Sequence, residues 1–172
     1  MSTKSLVWSV LTALVLMILN NTLYVIKETE KGVLLRFGEV VNPDIQPGLH
    51  AKFPFVNNVR KFDSRVLTVD AQAERFLTQE KKALVVDSFA KFRVIDTARF
   101  YTATNGEVQR AMGLLAQRIN DGLRNEVGIR TIQEVVSGER DQLMRNITLD
   151  LNKVAAAELG VEVVDVRVKK ID

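Results

Sequence analysis

Hydrophobic positions recur along this chain at spacings that change from one region to the next. Residues 5–19, SLVWSVLTALVLMIL, are uncharged and apolar on every side, with Lys4 ahead of them and Asn20-Asn21-Thr22 behind. From Tyr24 to Val94 apolar and polar residues alternate in short runs, the period of a half-buried strand. From Asp96 to Leu159 the spacing lengthens to that of an amphipathic helix, and the closing VEVVDVRVKKI returns to alternation.

The leading run predicts a retained transmembrane helix within residues 1–22, built on Leu6, Val7, Trp8, Val10, Leu11, Leu14, Val15, Leu16, Met17, Ile18 and Leu19. A span needs about 20 residues to cross a core of ~30 Å. The run reaches that length once Lys4 snorkels at one interface and the amide-rich triplet sits at the other. Trp8 and Tyr24 stand near the two ends, where amphipathic rings collect. A cleaved signal peptide would want a small-x-small site after the apolar run, which ILNNTLY does not supply. A buried helix of a soluble domain would be amphipathic, and this one is not. Orientation does not follow from charge, because Lys4 lies on one side and Lys27, Lys31 and Arg36 on the other.

Behind the helix a strand-rich, membrane-proximal segment is expected over residues 23–80. YVIKETEKGVLLRFGEV holds two runs separated by a charged turn at Glu30-Lys31-Gly32, the second interrupted at Gly38 by a bulge or bend. In QPGLHAKFPF, Pro47-Gly48 marks a tight turn and Pro54 bars a central strand, yet Leu49, Phe53 and Phe55 alternate as though one face were apolar. Asn57-Asn58 signals a further turn. Val66, Thr68 and Asp70 then alternate with Leu67, Val69 and Ala71. After a polar break at residues 79–82, Leu84, Val86, Ala90, Phe92 and Val94 share a face opposite Asp87, Lys91 and Arg93.

Residues 81–172 are expected to combine this last strand with helices and a returning strand. Asp96 caps a short helix carrying Phe100 and Tyr101. Asn105 or Gly106 opens a longer one, with Val108, Met112, Leu115, Ile119 and Leu123 in one stripe and Gly128 just past its end. That stripe reads as core in preference to a partner groove. Thr131 and Glu134 have capping-box spacing. A last helix runs from about Glu139 to Leu159, with Asp141 and Arg145 four apart and Gly160 as its stop. The final strand places Val164, Val166 and Val168 on one face. Strands, then helices, then a returning strand describe an α+β fold with helices packed on a sheet.

Composition narrows the chemistry. The 172 residues are 47% hydrophobic and 26% charged, a folded chain's balance, and the net charge of +3 is spread among alternating acids and bases. Without clustered Lys/Arg, stacking aromatics or a motif, nucleic-acid binding has no footing. The chain has no cysteine, which excludes disulfides, thiolate catalysis and cysteine metal sites. His50 is the only imidazole and reads as a surface or turn histidine, with a proton-sensitive contact as the alternative. There is no P-loop, no G-x-G-x-x-G, and no G-x-S-x-G around Ser64, Ser88 or Ser137. Spacing alone leaves a Ser-Lys dyad open. Asp63, Asp70, Glu74, Glu80 and Asp87 alternate with basic residues, as on an ion-paired, solvated face. The sequons at Asn20 and Asn146 read as chance matches. No catalytic, cofactor-binding or metal site is expected.

EKGVLLRFGEV, QPGLHAKFPFVNNVRKFDSRV and ALVVDSFAKFRVID together resemble the stomatin/prohibitin/flotillin (band 7, SPFH) superfamily, and the resemblance runs from Tyr24 to Asp172. TQEKKALVVDS and the closing LGVEVVDVRVKKID are similar to one bacterial branch of it. The resemblance implies a single-pass protein of the bacterial inner membrane, with a short cytoplasmic N-terminus and its folded part in the periplasm. It also implies an HflK-like partner subunit in a large hetero-oligomer, associated with an FtsH-like membrane protease whose substrate access the assembly modulates. It implies no catalytic or cofactor residues. Family members continue after the RVKKI strand into a long coiled-coil-forming helix, whereas this sequence stops at Asp172, so the hetero-oligomer is expected only where that helical region is present. A lipid-organising microdomain scaffold acting without a protease is the alternative, and a membrane-tethered hydrolase a further one.

On this reading the Pro47-Gly48 turn returns the chain toward the bilayer. Leu49, Phe53 and Phe55 then lie at the lipid interface, with Lys52 at headgroup level. The alternative is that the same side chains fill the core of the strand-rich segment.

Overall fold

The computed structural model describes residues 3–135 and 140–171, the side chains of residues 3–6, 18–20 and 140 excepted. Strands and helices mix in an α+β arrangement that divides into two compact units, Met1–Asp63 and Ser64–Asp172.

The first unit holds α1 (Thr3–Thr22), β1 (Leu23–Ile26), β2 (Glu30–Arg36), β3 (Glu39–Ile45), β4 (Gly48–Ala51) and β5 (Asn57–Asp63). Helix α1 passes into β1 with no intervening residue. β1 pairs antiparallel with β4, Leu23 opposite Ala51 and Ile26 opposite Gly48. A second antiparallel sheet runs in the order β3-β2-β5. Val33, Leu35, Ile45 and Phe62 of this sheet and Ile26 of β1 are buried apolar residues of the unit.

The turns of this unit differ from the sequence expectation in instructive ways. β1 reverses into β2 at residues 27–30, where the Glu30 N–H donates to the Lys27 carbonyl at 2.9 Å. Glu30, Lys31 and Gly32 therefore open β2, because Val33 and Leu35 need the preceding residues extended to reach the core in register with β5. Gly38 does not interrupt a strand; with Phe37 it makes the two-residue link between β2 and β3, Arg36 opposite Glu39. Both linking residues have positive φ, 51° and 90°, as a type I′ hairpin turn demands. Asn57-Asn58 is strand and not turn: Asn57 is buried and accepts a hydrogen bond from Arg36 Nε at 3.2 Å. The reversal lies just upstream, at residues 53–56, closed by the Asn57 N–H on the Phe53 carbonyl at 3.1 Å.

The second unit comprises β6 (Leu67–Leu77), β7 (Ala83–Val94), α2 (Thr97–Thr104), α3 (Val108–Gly128), α4 (Arg140–Leu159) and β8 (Val161–Ile171). Its boundary falls before β6 and not at residue 80, because β6 and β7 are partners in one ladder from Leu67 opposite Phe92 to Leu77 opposite Ala83. The sheet is antiparallel with β7 central between β6 and β8. Leu84, Val86, Ala90, Phe92 and Val94 are buried along one face of β7, as alternation predicts.

β8 departs from simple alternation. Val161 and Val163 are buried, and so are Val166 and Val168, but Val164 is 48% exposed. The register slips by a residue between Lys91 opposite Asp165 and Phe92 opposite Val163, so Val164 is the extra residue of a β-bulge. The expected Val164-Val166-Val168 face is broken there, and Val163 takes the inward place.

The helices cover the buried face. Ala111, Leu115, Ile119, Leu123 and Val127 form the inward row of α3. Val108 and Met112 flank that row half-buried, because Ala111 falls on the strict i+4 line with the residues behind it. Asp96 caps α2, accepting the Arg99 N–H at 2.9 Å. Asn105 and Gly106, both at positive φ, close α2 and do not open α3, whose N-cap is Glu107. Gly128 is the last residue of α3 and not the one beyond it. The capping box forms, with Thr131 N–H and hydroxyl both on Glu134 Oε2 at 2.8 and 3.0 Å. The expected start of α4 at Glu139 lies outside the described residues. Gly160 ends α4 at a φ of 66°. Two side chains of α4 reach β8: Asn152 Oδ1 accepts the Val163 N–H at 3.0 Å, and Thr148 Oγ1 the Val166 N–H at 3.2 Å.

Candidate functional site

In the first unit, exposed apolar side chains are carried by α1 and by the loop that returns to its end. Val7, Trp8, Val10, Leu11, Leu14, Val15, Leu16 and Met17 are all exposed on α1. The side chains of Leu6, Ile18 and Leu19 lie outside the described residues. Among the described residues no helix is long and apolar enough to cross a membrane.

Backbone pairing brings the return loop to this helix. Leu23 stands opposite Ala51, and one residue further the Lys52 N–H donates to the Thr22 carbonyl at 2.8 Å. That bond occupies a carbonyl at the C-terminal end of α1, which has no partner within the helix. Phe53 and Phe55 follow at once and are 70% and 86% exposed; Leu49, on β4, is 67% exposed, and Lys52 is half-buried. These apolar side chains are therefore not the core of this unit. Phe55 sits at a φ of 68°, a region that a bulky L-residue occupies at a steric cost. A side chain that gains no burial and strains its backbone is not explained by folding alone.

His50 belongs to the frame of this loop. Its Nε2 lies 2.7 Å from the Gln46 carbonyl and must carry the proton there, since a carbonyl only accepts. The ring stacks on Tyr24, its cross-strand partner, with centroids 5.6 Å apart. Burial raises the Tyr24 hydroxyl pKa above its ordinary value. Lys61 Nζ donates to the Val25 carbonyl at 2.6 Å, which ties the β1–β4 pair to the neighbouring sheet.

Several charged residues of the second unit are arranged in pairs. Lys169 meets Asp70 at 2.8 Å and Asp87 at 4.0 Å, and Arg124 joins Glu74 at 2.9 Å and Asp121 at 3.0 Å. Glu80 meets Lys82 at 3.0 Å. Hydrogen bonding to Asp70 holds the Lys169 ammonium above its ordinary pKa. Ser88 faces the core opposite Ala71 and Val168, too buried to meet a substrate. Ser64 is half-buried, and Ser137 lies outside the described residues. Among the described residues no cluster of three or more His, Asp or Glu has the makings of a metal site.

Sequence reasoning did not single out Phe37, the other exposed phenylalanine at positive φ in this unit. The signal was present in RFGE, where a glycine at the second turn position precedes a polar residue.

The chain matches the family described as "SPFH domain / Band 7 family" over residues 24–172. It is 42% identical over 161 residues to a Haemophilus influenzae protein named "Protein HflC", covering 88% of this chain and 55% of that one. A Buchnera aphidicola protein of the same name is 40% identical over 177 residues, 91% of this chain and 58% of the relative. The Escherichia coli K12 protein named "Modulator of FtsH protease HflC" is 35% identical over 204 residues, 92% of this chain and 61% of the relative. The chain thus spans less than two thirds of the length of each of these relatives.

Proposed function

The chain belongs to the SPFH domain / Band 7 family, and from that membership we propose that it is a non-enzymatic, membrane-anchored scaffold subunit. On this reading it assembles with an HflK-like subunit, in a large hetero-oligomer where the C-terminal helical region is present, and modulates an FtsH-like membrane protease by controlling which substrates reach it. The name carried by the Escherichia coli relative supports the protease part. Exclusion of substrates would be steric, performed by the folded units held at a fixed height above the bilayer.

The observation that carries the membrane part is the Lys52–Thr22 backbone bond of 2.8 Å, which fastens an exposed aromatic loop to the end of an exposed apolar helix. The apolar run continues in sequence to Leu6 at one end and to Ile18 and Leu19 at the other. In the proposal α1 is the single anchor in a bacterial inner membrane and the folded units stand in the periplasm. Leu49, Phe53 and Phe55 then meet the acyl boundary, with Lys52 among the headgroups.

Affinity purification of the native protein from membranes in mild detergent tests this reading. Recovery of an HflK-like subunit and an FtsH-like ATPase, with altered degradation of a membrane substrate when the chain is deleted, is the expected result. Recovery of lipid alone would favour a lipid-organising scaffold. Casein degradation without any ATPase, abolished by one point substitution, would overturn the non-enzymatic assignment.

A further inference from the structure

We propose that Phe37, at the tip of the β2–β3 turn, is a second lipid-contacting finger that enters the bilayer boundary beside the residue 53–56 loop. The inference rests on the membrane reading above and extends it to a separate segment of chain.

Strand register places the two tips at one end of the unit. β2 ends at Arg36, which pairs with Asn57, the first residue of β5, and Arg36 Nε donates to the Asn57 side chain. Phe37 follows Arg36 directly, and the aromatic loop directly precedes Asn57. The same loop leaves β4 at Ala51, opposite Leu23, where α1 ends. Five residues, 52–56, thus join the helix end of one sheet to the Phe37 end of the other. At about 3.5 Å per residue these ends stand within about 20 Å of each other, and the Asn57–Phe53 hydrogen bond shortens the path. Chain direction agrees: β2 and β4 both run toward this end, and β1, β3 and β5 all leave it.

Conformation makes Phe37 stand out. Type I′ turns favour Asn, Asp or Gly at the first linking position because φ is positive there. Phenylalanine at a φ of 51° is a costly choice, and at 84% exposure it recovers no burial. Phe55 shows the same combination at the other tip. Bulky aromatics at both tips of one end, each strained and each exposed, fit a contact made outside the chain. Continuity with the exposed apolar helix selects lipid as the occupant. Arg36 and Lys52, next to the two tips, supply the cations that headgroup phosphates would meet.

The chain has no cysteine, so single labels are straightforward. The full chain would be labelled with an environment-sensitive NBD dye at Phe37→Cys, at Phe55→Cys, or at Asp44→Cys near the opposite end of β3. Each would be reconstituted into phosphatidylethanolamine/phosphatidylglycerol vesicles containing lipid spin-labelled near the headgroup. A label at Glu39→Cys, which keeps the Phe37 ring, repeats the measurement across the turn. The expected result is a blue shift and a loss of fluorescence at position 37 comparable to that at 55, a smaller loss at 39, and none at 44. Quenching at 55 with position 37 behaving like 44 overturns this inference and leaves the loop reading standing. No quenching at either tip overturns both. A blue shift at 37 without quenching means that protein covers the tip, which also overturns it.

Discussion

A Cβ built on Gly160 would stand 2.4 Å from the Asp96 carbonyl oxygen and 3.0 Å from the Phe100 nitrogen. The end of α4 and the start of α2 meet there at backbone distance, and the Ile95 and Asp96 N–H groups both donate to the Gly160 carbonyl, at 3.0 and 2.9 Å. Gly160→Ala must push backbone away and also hold a side chain at a φ of 66°. The cost expected is about 2–5 kcal/mol, the sum of left-handed strain and overpacking. Urea unfolding of the full chain in detergent measures it; an unchanged midpoint would contradict the close approach.

The bulge in β8 makes neighbouring valines unequal. Val164→Thr should change stability by less than about 0.5 kcal/mol, since that side chain already meets solvent. Val163→Thr places a hydroxyl opposite Phe92 in the core and should cost about 1–3 kcal/mol. Unfolding midpoints of the two variants compared side by side would reverse if the register ran without the slip.

The Thr131–Glu134 box carries a pH dependence. Hydrogen bonds from the Thr131 backbone, then its hydroxyl, hold the Glu134 carboxyl below the ordinary glutamate range. A folded-state pKa below the unfolded one gives a contribution that is complete above the unfolded pKa. It is lost as pH falls through the folded value. Thr131→Ala removes the hydroxyl and keeps the backbone donor, so the Glu134 pKa should rise only part of the way back. Carboxyl carbon NMR titration reads this directly, and an unmoved Glu134 would remove the hydroxyl from the account.

Phe55 should trade stability for surface contact. Phe55→Asn suits the positive φ and is expected to stabilise the detergent-extracted chain by roughly 0.5–1 kcal/mol. The same variant should reduce quenching of a neighbouring label by shallow lipid spin probes. A melting temperature that falls would show that the ring contributes to the fold.

Much of the second unit was legible because its pattern is dense. The burial of Leu84, Val86, Ala90, Phe92 and Val94 follows from alternation, and Leu115, Ile119 and Leu123 from helical spacing. Val164 was misplaced because register belongs to a strand pair, and a slip on β8 leaves no mark in the local pattern. Asn57 and Gly38 show the limit of turn signals. An asparagine pair serves as well in a strand when a buried side chain finds an arginine, and a glycine inside a run of alternating residues suits a bulge or a hairpin tip alike. At the candidate site, alternation of Leu49, Phe53 and Phe55 suited a core as well as a lipid face. Only the termination of β4 at Ala51 and the exposure of all three side chains remove the first option.

Asn152 and Thr148 engage the Val163 and Val166 amides from the flank of α4. Sheet borders with free amides invite a stray strand to add on, the first step toward templated aggregation. Here a stretch of that border is already spoken for by a helix of the same chain. In the proposed membrane-anchored assembly, crowding of copies would be correspondingly safer at this flank, whatever arrangement the copies adopt.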